Sequence, residues 1–259
     1  LAIALATGFV YQGEPSKFRD GARRGVPSEG LPPAAFVDFL QNHDQIGNRA
    51  FNERLTALAE PEMVEALTAV LLLSPHIPLV FMGEEWGETR PFGFFTDFHG
   101  DLGDAVREGR RKEFSKWPAF ASEENRQKIA DPNAETTFQA SKLDWDKLGR
   151  QLHRERFEFV KQLLDVRRRE IVPLLSRIGG HAGSFERLGD RSFVVRWRID
   201  DGGTLSLAAN FGDAPVELAS PTGGRAVFTR NAAADGRELG PLGVLVAVEE
   251  GTDFVPLPE

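Results

Sequence analysis

The sequence predicts an α/β segment followed by a small antiparallel β domain. Three observations carry this expectation. Two short apolar runs, 35–40 and 77–82, flank a single helical pattern. Each run ends in polar side chains, Gln41-Asn42-His43-Asp44-Gln45 after the first and Gly83-Glu84-Glu85 after the second. Beyond Gly179-Gly180, short alternating runs joined by turn residues replace the helical spacing.

In chain order, residues 1–10 read as the end of a helix with no basic region ahead of it, a poor match to a signal peptide. A chain that opens inside a helix suggests truncation. A loop rich in Gly, Pro and Arg covers 13–33, and 35–40 has the length and character of a buried strand. Pro61 suits a first helical turn, and Met63, Ala66, Leu67, Val70, Leu71 and Leu73 recur at helical spacing until Ser74-Pro75. Run 77–82 is a second strand. Two apolar strands separated by one helix imply a parallel βαβ unit, with reactive residues at strand C-termini as in a (β/α) barrel. A Phe-rich loop (92–104), a basic helix (106–117), an irregular stretch to about 148 and an amphipathic helix (152–170) follow, the last closed by Pro173. In the tail, 192–199, 204–209 and 243–248 read as strands, with Asp200-Asp201-Gly202-Gly203 as a hairpin turn. The expected division is 1–177 and 178–259.

Composition narrows the function. A net charge of −8, with cations only in short clusters, argues against nucleic acid as a partner. No apolar run is long enough to span a bilayer, so no membrane partner is expected. With zero cysteines the chain makes no disulfide, which fits a reducing cytoplasm. The clusters Arg110-Arg111-Lys112 and Arg167-Arg168-Arg169 read most simply as solvated helix faces.

The strand ends hold the candidate chemistry. Asn42, His43 and Asp44 place an amide, an imidazole and a carboxylate on consecutive positions, which converge on one ligand only where the chain leaves the strand. A carboxylate so placed grips paired sugar hydroxyls or stabilises developing positive charge. A polar loop with Asp44 capping a turn is the plainer alternative. Neither cluster has phosphate-binding glycines, a Ser-His-Asp set or close metal-ligand spacing, and no metal or cofactor is expected. Trp86, Phe94 and Phe95 offer faces for sugar stacking or for packing, and His99 leaves site and surface equally open.

Residues 39–45 resemble the seventh-strand motif of the α-amylase superfamily (glycoside hydrolase family 13), and 79–87 its eighth strand and loop. The run 42–49, Pro91-Phe92 through Phe95-Thr96-Asp97-Phe98, and 106–111 are similar to the malto-oligosyltrehalose trehalohydrolase family. The resemblance covers roughly the first 170 residues. It implies the C-terminal part of a (β/α)8 TIM barrel followed by a small antiparallel β-sandwich domain.

It also implies a cytoplasmic hydrolase of trehalose biosynthesis, cutting the α-1,4 bond next to the terminal trehalose of malto-oligosyltrehalose or a related α-glucan. Asp44 becomes the transition-state stabiliser, with His43, Asp44, Gln45, Ile46, Gly47 and Asn48 as substrate-binding residues. Adjacent Glu84 and Glu85 cannot face one glycosidic bond from opposite sides, so both stay outside the catalytic set. The family's nucleophile and acid/base lie upstream of the seventh strand, and residues 1–41 resemble neither. The stretch is therefore expected to be inactive without the missing N-terminal part of the same enzyme. A fragment of a branching or debranching enzyme, and a non-catalytic carbohydrate-binding protein, are the alternatives.

Overall fold

The computed structural model describes residues 1–218 and 223–251, so the expected tail domain falls partly outside the described residues. In chain order the regular elements are α1 (Ala2–Thr7), β1 (Gln12–Pro15), β2 (Arg23–Gly25), β3 (Val37–Asp38), α2 (His43–Gly47), α3 (Pro61–Leu73) and β4 (Ile77–Pro78). Then come α4 (Gly100–Phe114), α5 (Glu123–Gln127), α6 (Glu135–Ser141) and α7 (Gln151–Val166). The tail holds β5 (Gly183–Arg187), β6 (Ser192–Arg198), β7 (Thr204–Asn210), β8 (Val216–Glu217), β9 (Arg225–Ala232) and β10 (Glu238–Glu249). Two compact units divide the chain. One comprises Leu1–Asp38, Pro61–Leu79 and the described residues from Val160 onward; the other comprises Phe39–Glu60 and Val80–Phe159.

In the first unit β3 and β4 pair in parallel, Val37 opposite Ile77 and Asp38 opposite Pro78, with α3 as the connection. The βαβ unit is thus present, but its strands are shorter than the apolar runs. Pro32 and Pro33 lead into a 3-10 turn through Ala35, and the ladder is held by the N–H groups of Ile77 to Phe36 O (2.9 Å) and of Leu79 to Asp38 O (2.8 Å). Helix α3 occupies the expected span. Pro61 opens it, Pro75 disfavours helix at the residue before, and Ala66, Ala69, Leu72 and Leu73 are fully buried.

Arg167 is not a solvated cation. It is buried in a π-helical turn, Arg167–Ile171, and its guanidinium donates to the carbonyls of Leu72 (2.9 Å), Ser74 (2.6 Å) and His76 (2.7 Å). These are the unpaired carbonyls at and beyond the end of α3, which one planar cation satisfies together. Arg168 and Arg169 are exposed, as expected. The loop 13–33 contains the antiparallel pair β1–β2, which its turn-rich composition concealed.

The tail is sheet-rich. Among the described residues its six strands form one antiparallel sheet in the order β5-β6-β7-β10-β8, with β9 also paired to β10. The long strand β10 joins them, pairing with β7, β8 and β9. The register of β10 shifts between Leu239 and Val244, where Leu242 has φ 54°. Val194, Ala208 and Leu245 lie side by side on one face and pack with Leu218 and Leu239. On the opposite face Trp197, cross-strand from Leu205, is fully buried and donates from Nε1 to the carbonyl of Leu5 in α1 (3.2 Å). Covered on both faces, β6 and β7 read as continuous apolar runs more than as alternating ones. Strands β5, β8 and β9 were not expected from the sequence.

In the second unit, α4 begins at Gly100, six residues before the expected start, and ends ahead of Trp117-Pro118. The stretch to about 148 is less irregular than expected, since it contains α5 and α6. No helix among the described residues is long and apolar enough to cross a membrane.

Candidate functional site

The polar string 42–48 is a helical turn. Asn42 is extended (φ −140°, ψ 179°), and its Oδ1 accepts the N–H of Gln45 at 2.9 Å, capping α2. Helical spacing then decides which side chains converge. Positions four apart share a face, so His43 lies above Gly47 and Asp44 above Asn48. These four line one side of an open cavity of about 150 Å³, and Phe92, Gly93, Phe94 and Phe95 line the other. Gln45 is exposed outside this lining, and Ile46 is 1% exposed in the core beneath it.

His43 and Asp44 are open to solvent, with side chains 68% and 73% exposed and His43 Nε2 3.6 Å from Asp44 Oδ1. Both can therefore meet a ligand without rearrangement. The aromatic wall is a chain of tilted and edge-on rings: Phe81 and Phe92 centroids 5.1 Å apart, Phe92 and Phe95 5.8 Å, Phe95 and Phe138 5.3 Å. Phe94 is 43% exposed and Phe95 37%, so each offers part of a ring face to the cavity. Gly93 is fixed by its N–H to Ser141 Oγ (2.9 Å), and a Cβ there would come 2.8 Å from Thr137 Cγ2.

Two buried side chains support the turn from below. Asn52, at φ 56°, donates from Nδ2 to the carbonyls of Gly47 (2.9 Å) and Arg49 (3.0 Å). Arg110 of α4 is 8% exposed and donates to the carbonyls of Gly47 and Arg49 (the latter 3.2 Å) and to Asn48 Oδ1 (3.2 Å). Its guanidinium also lies over the rings of Phe94 (5.7 Å) and Phe114 (4.9 Å). The expectation that Arg110 is solvated is thus overturned, because helix-terminal carbonyls and two aromatic faces enclose it.

The loop after β4 is a polar frame. Gly83 (φ 94°) turns the chain into a 3-10 turn, Glu84–Trp86. Glu84 accepts from the N–H of Phe81 (2.6 Å) and from Gln41 Nε2 (3.0 Å), while Gln41 Oε1 accepts from Leu55 N (2.8 Å). Burial pushes the Glu84 carboxyl above its ordinary value against these bonds. Glu85 accepts from Gly83 N (2.8 Å). Both carboxylates are thus engaged by their own loop.

Glu88 is 1% exposed and accepts from the N–H groups of Thr89 and Arg90 (both 2.8 Å), from Asp144 N (2.7 Å) and from Lys147 Nζ. Burial acts to raise its pKa, but the Arg90 N–H and Lys147 prevail and hold it down at about 2. Arg54, fully buried, donates to the carbonyls of Arg90 (2.7 Å) and Met82 (2.8 Å).

Trp86 is 4% exposed against Trp145 and is a packing residue, since burial removes its face from any sugar. His99 is a surface residue, 84% exposed beside Asp97. Among the described residues no three His, Cys, Asp or Glu side chains gather as a metal site. Sequence reasoning missed Asn52, Arg54, Glu88, Arg110 and Lys147. Asn42 followed by Gln45 at the third helical position was a legible sign of the helical turn.

Comparison with known proteins places this geometry. A domain of unknown function, DUF3459, matches residues 180–246. A malto-oligosyltrehalose trehalohydrolase of Deinococcus radiodurans is 40% identical over 173 residues, covering 66% of this chain and 28% of that protein. One from Rhizobium sp. is 38% identical over 227 residues, covering 85% of this chain and 36% of that protein. The chain therefore spans roughly a third of the length of these relatives. A crystal structure from Salmonella typhimurium, provisionally named an α-amylase, is 47% identical with a TM-score of 0.89, covering 96% of this chain and 41% of that one. A trehalulose synthase of Pseudomonas mesoacidophila, 18% identical with a TM-score of 0.50, covers 82% of this chain and 43% of that one and shares the fold alone. On this similarity in sequence and fold, the chain belongs to the malto-oligosyltrehalose trehalohydrolase family of the α-amylase superfamily.

Proposed function

We propose that the cavity beside α2 is one subsite of a retaining glycosidase that releases trehalose from malto-oligosyltrehalose. The observation that carries this reading is the convergence of Asp44, His43 and Asn48 on one face of a helical turn, opposite Phe94 and Phe95. A solvent-open carboxylate beside an amide and an imidazole binds vicinal hydroxyls, and the ring faces pack against sugar C–H groups. In this reading Asp44 stabilises the oxocarbenium-like transition state and His43 binds the same sugar. Gln45, Ile46 and Gly47 shape the turn, Ile46 from within the core.

The βαβ unit then corresponds to the seventh and eighth strands of a (β/α)8 barrel. Residues 1–177 form its C-terminal part, and 178–259 the β domain that follows. Retaining hydrolysis needs a nucleophile and an acid/base about 5 Å apart across the bond. We assign neither role here and propose that both come from the part of the relatives that this stretch does not match. At about 150 Å³ the cavity is smaller than the roughly 300–1,000 Å³ of complete ligand pockets, in keeping with a partial site. A cytoplasmic setting agrees with the absence of cysteine.

The test is product analysis with malto-oligosyltrehalose on the 259-residue chain, the natural-length gene product and its Asp44→Asn variant. Trehalose from the natural-length product alone, with kcat about 100-fold lower in the variant, is the expected pattern. Trehalose from the short chain refutes its inactivity. No trehalose from any of them removes the trehalohydrolase reading and puts branching or debranching activity first.

A further inference from the structure

We propose that Arg110 is a positioning residue that fastens both walls of the Asp44 cavity, setting the α2 turn and Phe94 in register with each other. The proposal rests on the functional reading of that cavity and adds what holds it in shape. On one wall, the Arg110 guanidinium donates to Gly47 O, Arg49 O and Asn48 Oδ1, where α2 ends. The two backbone carbonyls lie at the end of this short helix and are shared with Asn52 Nδ2. On the other wall, the same cation lies over the ring of Phe94.

The bond to Asn48 has a chemical consequence. With its oxygen turned to Arg110, Asn48 keeps its NH2 as the group free to donate to a ligand hydroxyl. Glu113 Oε2, 3.5 Å from Arg110 Nη1 and itself 57% exposed, supplies the nearby negative charge that helps keep the buried cation ionised. Phe114 closes the other side of the guanidinium. Lysine brings the charge but not the planar fork that reaches three oxygens at once.

Asp44 belongs to the same five-residue turn, so loosening its end displaces the carboxylate relative to the sugar. A displacement of about 1 Å can cost on the order of 100-fold in rate. The experiment uses the natural-length product with Arg110→Ala, Arg110→Lys and, as control, Lys112→Ala, a substitution on an exposed position of the same helix. Thermal melting, kcat and KM on malto-oligosyltrehalose, and rescue by added guanidinium ion are measured.

We expect kcat to fall at least about tenfold in Arg110→Ala with a smaller change in KM, Arg110→Lys to lie between, Lys112→Ala to match wild type, and guanidinium to restore part of the loss. Activity within twofold of wild type in a folded Arg110→Ala protein, or an Arg110→Lys protein less active than Arg110→Ala, overturns the proposal. So does a loss that follows the melting temperature and is not rescued in either variant, because that marks a purely structural residue. Failure of the wild-type protein to release trehalose is a separate result and strikes the functional reading alone.

Discussion

The tail sheet and the frame around the cavity bury their interiors by opposite means. Strands β6, β7 and β10 enclose Val194, Val195, Trp197, Leu205, Leu207 and Val246, side chains with almost no charge to satisfy. The second unit instead buries Arg54, Glu88, Arg110 and Lys147, each held by hydrogen bonds. An apolar layer tolerates small shifts, because its attraction is non-directional. A buried ion with fixed donors does not, since loss of one partner strands the rest. The difference teaches where directional interactions are concentrated: they fix the buried ions of the second unit, and one of these, Arg110, holds the turn that lines the cavity.

Three perturbations of the natural-length product break or sharpen this contrast. The largest effect is expected at the centres of the two regions. Trp197→Ala removes a fully buried ring and its bond to Leu5, at a cost of about 3–5 kcal/mol. Lys147→Ala leaves Glu88 without its cation, at a similar cost of about 3 kcal/mol at neutral pH. Only the second penalty should shrink in acid, because without Lys147 the burial of Glu88 acts to raise its pKa and the carboxyl takes up a proton at a higher pH than in wild type. Denaturant melts at pH 7 and pH 4 compare them, and equal pH response in the two variants would undo the distinction.

The next effect is a pH dependence. The folded-state pKa of Glu88 is about 2, below its ordinary 4.5, so the stability it contributes is complete above about pH 4.5 and disappears as pH falls through 2. The difference corresponds to roughly 3 kcal/mol. Glu84 acts with the opposite sign, since its raised pKa means that ionisation weakens the fold as pH increases. Melting curves between pH 2 and pH 6 should therefore be steeper for wild type than for Glu88→Gln. Parallel curves would show that Glu88 does not govern the acid limb.

The smallest effect separates neighbours within one arginine cluster. Arg167→Ala strands the carbonyls of Leu72, Ser74 and His76 and should cost about 2–3 kcal/mol. Arg168→Ala, at an exposed position, should stay within about 0.5 kcal/mol of wild type. Equal shifts in chemical denaturation would contradict the buried role of Arg167.

The same cluster shows what the sequence made legible. Helix α3 could be read because its apolar spacing and its bounding prolines are local signals. The hairpin turn between β6 and β7 was visible in Asp200-Asp201-Gly202-Gly203 for the same reason. Arg110 and Arg167 could not be read, because the carbonyls that bury them lie far along the chain and leave no mark on neighbouring residues. Strand lengths failed at 35–40, where the 3-10 turn Pro33–Ala35 takes up the start of an apolar run. At the cavity, the motif picked out a contiguous string, whereas helical geometry sends His43, Asp44, Gly47 and Asn48 to the lining and Ile46 to the core.

The bonds from Arg110 to the α2 turn and from Lys147 to Glu88 join residues 63 and 59 positions apart in the chain. The β6–β7 ladder, by contrast, closes across a turn of a few residues. Loop closure of that reach is slow beside hairpin formation, so the β6–β7 hairpin forms before the contacts that frame the cavity. Pulse-labelling hydrogen exchange during refolding should then protect the amide of Leu207 before that of Gln45. During refolding the β6–β7 hairpin would thus be in place while the α2 turn is still unformed.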